Sequence, residues 1–259
     1  MKEAILNFYG FKRLPFGKDV AAADLFKTRA LEDALAMVLL GMEDEDILLL
    51  SGAVGCGKSV IIRSVMAGID QNRFLPIYLR GCPMTLADLY KLILVELKIE
   101  APRSLSKARL AFYKAVLELP RKPVVFLDDA QDIGQEALLG IKTLVNFAQD
   151  SRSHLTVILA GQPELRTLLG YSHFLSLKQR IKLEMHLGGM DLVQTCAYID
   201  HGLRISGRPS PLFSDSAKME IFKRTSGIAR QINSLCYRAI VNGVITKREI
   251  IDTNDLPES

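Results

Sequence analysis

Short apolar runs alternate along the chain with longer stretches whose apolar residues recur every three or four positions. Ile47-Leu48-Leu49-Leu50 is a run suited to a strand buried on both faces. Val124-Val125-Phe126-Leu127 reads as a hydrophobic strand and Leu155-Thr156-Val157-Ile158-Leu159-Ala160 as another buried one. Leu75-Pro76-Ile77-Tyr78-Leu79 reads as a strand with the proline near its start. Ile181, Leu183, Met185 and Leu187 alternate with polar residues, which predicts a fifth strand with one wetter face. Between the runs lie helical patterns. Residues 29–42 place Leu31, Leu35, Val38, Leu39 and Met42 along one side, and an apolar stretch from Val60 to Ile69 follows the first strand. Thr85 with Asp88 has the form of a capping box opening a helix that runs to Leu97. A helix from Ser104 to Leu119 would gather Leu105, Ala108, Phe112, Ala115, Val116 and Leu119 on one face, with Arg103, Lys107 and Lys114 together on the other if the helix begins early enough. Another is predicted from Gln135 to Gln149. Residues 1–28 hold Phe8, Phe11, Pro15 and Phe16 among polar residues and read as irregular structure anchored by aromatic side chains. Strands alternating with helices predict an α/β fold, a parallel sheet covered by helices on both faces.

After Leu187 the strand pattern stops. Asp191 with Gln194 is suited to cap a helix reaching Ser206, Ser214 to start a second ending at Gly227, and a third runs from Ile228 to Val241. This predicts a small all-helical lid domain.

Composition narrows the partners. The 259 residues are 49% hydrophobic and 24% charged, enough to bury a proper core. Tryptophan is absent and aromatics make up 7%, so stacking surfaces are few. The net charge of +4 permits an anionic partner without demanding one. Cys56, Cys82, Cys196 and Cys236 lie far apart without metal-ligand spacing, which reads as a reduced, cytoplasmic protein. No apolar stretch is long enough to span a bilayer and residues 1–16 lack a signal-peptide core, so no membrane partner is expected.

The chemistry centres on Gly52-Ala53-Val54-Gly55-Cys56-Gly57-Lys58-Ser59, which fits the phosphate-binding pattern G-x-x-x-x-G-K-[ST]. It stands between a strand and a helix, the context the pattern needs. Glycines let backbone amides, Val60 included, close around phosphates, and the helix dipole adds to their field. Lys58 would reach the β- and γ-phosphates of ATP, and Ser59 would ligate Mg²⁺. Asp128, at the end of a buried strand, suits the Mg²⁺ shell, and Asp129 stands where a water-polarising carboxylate is expected. These motifs predict a P-loop NTPase that hydrolyses ATP to ADP. They divide the chain into an N-terminal segment and helix packing at the nucleotide site (1–45), an ATPase core (46–187) and the helical lid (188–259).

With these residues in place, the sequence resembles the ExeA-like branch of the AAA+ ATPases nearly end to end. The marks are Gly10-Phe11-Lys12-Arg13-Leu14-Pro15-Phe16-Gly17-Lys18, the phosphate loop, Phe126-Leu127-Asp128-Asp129-Ala130-Gln131, Gly161-Gln162-Pro163-Glu164-Leu165-Arg166, Gln179-Arg180-Ile181 and Ser226-Gly227-Ile228-Ala229-Arg230-Gln231-Ile232-Asn233. Within that branch the leading Leu-Pro-Phe-Gly-Lys-Asp looks most like transposon-encoded target-selection ATPases of the TniB, TnsC and MuB type, which accompany a DDE-type transposase.

The resemblance implies further roles. Gln162 falls at sensor 1, near the γ-phosphate or the attacking water. Arg180 falls at the arginine finger, reaching a neighbouring subunit's ATP. Arg230 matches the sensor 2 arginine, and the aromatic N-terminal stretch would line the adenine. Two alternatives stay open from the residues themselves: Gln162 as a cap for a helix opened by Pro163, and Arg180 as one of three cations, with Lys178 and Lys182, on a solvated face. The family usually has Asp-Glu where this chain has Asp128-Asp129. The shorter second carboxylate implies slow hydrolysis, with ATP as a timer. The resemblance also implies a homo-oligomeric ring or helical filament assembled with ATP on double-stranded DNA, with Arg80, Thr85, Arg103, Ser104 and Lys107 facing the duplex. Arg103, Lys107 and Lys114 could equally be the wet face of an amphipathic helix. The alternative role is that of ExeA and GspA, ATPases assisting secretion-system assembly.

Overall fold

The computed structural model describes residues 1–17, 24–44, 46–146 and 153–258. Lys18, Asp19 and Gln149, on which the sequence expectations touched, lie outside the described residues. Five strands, β1 (Ile47–Gly52), β2 (Phe74–Arg80), β3 (Lys122–Asp128), β4 (Thr156–Gly161) and β5 (Ile181–Leu187), form one sheet in the order β2-β3-β4-β1-β5. Every adjacent pair is parallel. The helices are α1 (Lys2–Tyr9), α2 (Arg29–Asp44), α3 (Lys58–Gly68), α4 (Leu86–Glu96), α5 (Leu105–Glu118), α6 (Gln135–Val145), α7 (Pro163–Leu169), α8 (Leu175–Lys178), α9 (Leu192–Ile205), α10 (Asp215–Thr225) and α11 (Ala229–Ile245).

Two compact units emerge. One comprises 30–52 and 57–187 and holds the sheet; the other comprises 1–29, 53–56 and 188–259 and is helical. In the sheet unit, strand alternation sends Ile47, Leu49, Ile77, Leu79, Val125, Leu127, Val157 and Leu159 to one face, where they share a core with α4 to α8. The residues between them point to the other face. There α2 comes so near that a Cβ on Gly41 would lie 2.5 Å from a Leu48 methyl. Helices thus lie on both faces, as the unbroken apolar strands require. β5 has the wetter face its alternation predicts, with Lys182, Glu184 and His186 exposed, and β2 at the opposite sheet edge likewise exposes Tyr78 and Arg80.

Three expectations need correction. Residues 2–9 form a helix rather than irregular structure: Ile5 and Tyr9, one turn apart, are buried, and Gly10 at φ 71 ends the helix with its amide on the Leu6 carbonyl. The buried side of α2 is Ala34, Val38, Gly41 and Met42, leaving Leu39 exposed, because the small residues allow closer approach to β1. α6 ends at Val145 with Asn146 as its C-cap, short of the predicted end. In the helical unit α1, α9, α10 and α11 share one core, and Phe11 is buried in it. Phe16 packs on Gly202 and Phe213, so these two aromatics serve that unit's own interior. The capping boxes at Thr85/Asp88 and Asp191/Gln194, and the Ser214 cap, form as their spacing predicts.

Candidate nucleotide site

The phosphate loop joins β1 to α3. Gly55 (φ 87) and Gly57 (φ 113) occupy backbone regions that side chains disfavour. Gly57 opens α3, whose first turn holds no acid of its own and begins with Lys58. The Lys58 ammonium is buried and donates to the Gly52 carbonyl at 2.6 Å. Within the helical unit, the Arg230 backbone amide donates to the Gly55 carbonyl at 3.2 Å. A Cβ on Gly55 would lie 2.3 Å from the Arg230 Cβ. Arg230 therefore packs against the loop tip through its backbone and the base of its side chain.

Strand β3 delivers Asp128, 5% exposed. Its Oδ2 accepts from Ser59 Oγ at 3.0 Å and from the Tyr78 hydroxyl at 3.2 Å, and its Oδ1 accepts from the Asp129 amide at 3.1 Å. Burial first, then the Asp128 charge, pushes the Tyr78 hydroxyl above the ordinary tyrosine value, so it stays a donor. Asp129 turns the chain out of the strand at φ 53, ψ 44, a left-handed conformation that aspartate tolerates better than most residues. Its Oδ2 lies 3.8 Å from Arg80 Nε. The Gly81 amide donates to the Asp128 carbonyl at 2.6 Å, and a Cβ on Gly81 would come within 2.1 Å of the Asp129 carbonyl oxygen. The end of β2 is thus pressed onto the Asp128–Asp129 turn.

These residues fit ATP with Mg²⁺. The loop offers a glycine backbone, a helix N-terminus and a buried ammonium for the phosphates. Ser59 and Asp128, in mutual contact, are the sparse oxygen donors Mg²⁺ takes from protein when phosphates and waters complete its shell. Among the described residues no three or more His, Cys, Asp or Glu gather to hold a metal without such help.

Gln162 is the residue before α7, with Pro163 at its first position, but its side chain makes no capping bond. Its backbone amide donates to Gln131 Oε1 at 3.0 Å. It follows β4, which lies between β3 and β1, so Asp128, Gln162 and Gly52 stand at three adjacent strand ends. Arg180 lies between α8 and β5, half-buried, with its amide on the Leu177 carbonyl and no ion-pair partner for its side chain among the described residues.

The residues proposed for DNA stand differently. Arg80 is exposed and near Asp129. Thr85 is committed to its capping box: its hydroxyl accepts from the Asp88 amide at 3.2 Å and donates to Asp88 Oδ2 at 2.7 Å. Ser104 caps α5 by accepting from the Lys107 amide at 3.4 Å. Because Ser104 is the cap, Arg103 precedes the helix and shares no helical stripe with Lys107 and Lys114, so the early start that a three-cation basic face needed is not met. Sequence reasoning missed Tyr78, Gln131 as partner of Gln162, and the Arg80–Asp129 approach. A tyrosine in an apolar run was the one visible signal, and only the β2–β3 register, with Arg80 beside Asp128, gives it meaning.

A parallel α/β sheet with a phosphate loop after β1 and a buried carboxylate, Asp128, ending β3 defines a P-loop nucleotide-binding protein. The family described as AAA domain matches residues 40–169, half of the chain. The chain therefore belongs to the AAA family; it is an ATPase and takes ATP with Mg²⁺. It is 28% identical over 242 residues to general secretion pathway protein A of Aeromonas hydrophila, covering 91% of this chain and 44% of that protein. The chain thus spans less than half the length of that relative. Among solved structures, Cdc6p of Pyrobaculum aerophilum superposes with a TM-score of 0.70 at 16% identity, over 91% of this chain and 67% of that one. Orc1 of Aeropyrum pernix in complex with DNA gives 0.65 at 15%, over 90% and 65%. The Thermotoga maritima RuvB Holliday junction branch migration motor gives 0.55 at 17%, over 87% and 64%. These likenesses are of fold. No helix among the described residues is long and apolar enough to cross a membrane.

Proposed function

We propose that the chain is an ATP-dependent DNA-binding regulator of transposition, which assembles as a homo-oligomer on duplex DNA and recruits or activates a DDE-type transposase. Lys58 and the loop 52–60 hold the phosphates, Ser59 and Asp128 the Mg²⁺, Asp129 and Gln162 the attacking water. Arg180 completes a neighbouring subunit's site, and Arg230 reads the nucleotide from the lid. The observation carrying the DNA reading is the start of α5. Its first turn holds no acid, while Arg103 just before the cap and Lys107 within that turn are exposed. Cations there oppose the helix dipole and gain only when an anion such as a backbone phosphate arrives. Thr85 and Ser104 support the loops as caps, leaving Arg80, Arg103 and Lys107 to meet phosphates. DNA-related relatives of the same fold, Orc1 among them, support the class of partner.

The test is binding to duplex DNA against salt, with and without a slowly hydrolysed ATP analogue, followed by electron microscopy. ATP-dependent assemblies on DNA are expected. Replacing Arg103 and Lys107 by Ala should lower the salt slope by about two. The relation to general secretion pathway protein A favours a second reading, an ATPase assisting secretion-system assembly. Absence of duplex binding at low salt with ATP would leave that reading standing.

A further inference from the structure

We infer that Tyr78 is a positioning residue for the magnesium carboxylate, fixing Asp128 so that the ion meets one prepared lone pair. The inference rests on Asp128 and Ser59 being the Mg²⁺ pair. An ionised carboxylate has about four lone-pair sites. Three are taken in Asp128, by the Asp129 amide on Oδ1 and by Ser59 and Tyr78 on Oδ2. Two of these donors belong to the loop and turn that must accommodate nucleotide. Ser59 Oγ has to serve the ion as well as Asp128, and the Asp129 amide sits at a left-handed corner. Tyr78 differs from both. It projects from β2, whose register on β3 runs unbroken from Phe74↔Lys122 to Arg80↔Asp128. Its hydroxyl is thus held by the sheet, and it restrains the carboxylate throughout nucleotide exchange.

Outer-shell partners of this kind typically change metal affinity by 10- to 100-fold when removed. Tyr78→Phe keeps the ring and deletes only the donor. The measurement is binding of a fluorescent ATP analogue across a Mg²⁺ titration, with a parallel series in chelator, for the wild type, Tyr78→Phe and Asp128→Asn. The expected result for Tyr78→Phe is a Mg²⁺ half-saturation raised about tenfold, with unchanged affinity in chelator. A Mg²⁺ response like the wild type's would overturn the inference. Equal loss of affinity in both series would also overturn it, because the hydroxyl would then be supporting the sheet rather than the metal carboxylate. Asp128→Asn keeps the two inferences apart. If that variant loses its Mg²⁺ response while Tyr78→Phe does not, only the role of Tyr78 falls. If Asp128→Asn responds to Mg²⁺ normally, the assignment of the metal pair falls, and the inference with it.

Discussion

Asp129 shows how one side chain answers to two requirements. As the proposed water-orienting carboxylate it gains from length, and glutamate would reach farther. As the corner residue at φ 53 it gains from a short side chain, which suits the left-handed region. Its oxygen is also within 3.8 Å of Arg80 Nε, so part of its charge is directed toward β2. Two variants separate these effects. Asp129→Ala should keep ATP and Mg²⁺ binding, because Ser59 and Asp128 are untouched, while single-turnover hydrolysis falls about a hundredfold. Asp129→Glu should hydrolyse at least as fast as the wild type but melt at lower temperature, by the order of 1 kcal/mol that the left-handed backbone costs a longer side chain. Undiminished hydrolysis in the Ala variant would remove Asp129 from the chemistry. A Glu variant that binds ATP and is dead would show that the site is built for the shorter arm.

At the scale of elements, the helical unit is tied at its C-terminal end by a polar knot. Asp252 Oδ1 accepts from Ser214 Oγ at 2.5 Å, from Ser216 Oγ at 2.7 Å and from the Thr253 amide at 2.8 Å. Ser214 is the cap of α10, and its amide donates to the Ile251 carbonyl, so this carboxylate joins a helix start to the segment that buries Ile251. The two serine hydroxyls, then the Thr253 amide, hold the Asp252 carboxyl down to about 2 from a usual 3.8. The folded state therefore favours the ionised form. The stabilisation is complete above the unfolded value and is lost as pH falls from roughly 4 toward 2. Asp252→Asn should be less stable than the wild type at neutral pH, and the difference in denaturation midpoint should shrink across that window. A constant difference would mean the carboxylate's charge is not what the knot uses.

At the scale of the whole molecule, the proposed mechanism needs two chains. Lys58 belongs to the phosphate loop of its own subunit, whereas Arg180, without an ion-pair partner among the described residues, is proposed to serve a neighbour. Arg180→Ala should bind ATP nearly normally but fail to hydrolyse it, and Lys58→Ala should fail to bind it. Mixing the two should recover part of the ATPase rate, since each supplies what the other lacks. No recovery at any ratio would return Arg180 to the solvated cations beside Lys178 and Lys182.

Much of this protein was determined by its sequence alone. The apolar runs of β1, β3 and β4 are buried on both faces, and alternating with helical patterns they point to a parallel sheet between helices. The phosphate loop declares itself because glycines with positive φ, a lysine and a hydroxyl at fixed spacing have few other uses, and caps such as Thr85/Asp88 and Asp191/Gln194 are local chemistry. Tertiary structure decided what depends on neighbours distant in the chain. The Ile5 and Tyr9 turn became α1 because a helical core 190 or more residues away receives it. Gly41 rather than Leu39 faces the sheet because backbone closeness, invisible to a hydrophobicity pattern, won over side-chain size. Tyr78 reaches Asp128, and Arg80 reaches Asp129, only because β2 pairs with β3 in one register, and strand pairing is set by the packing of the whole sheet.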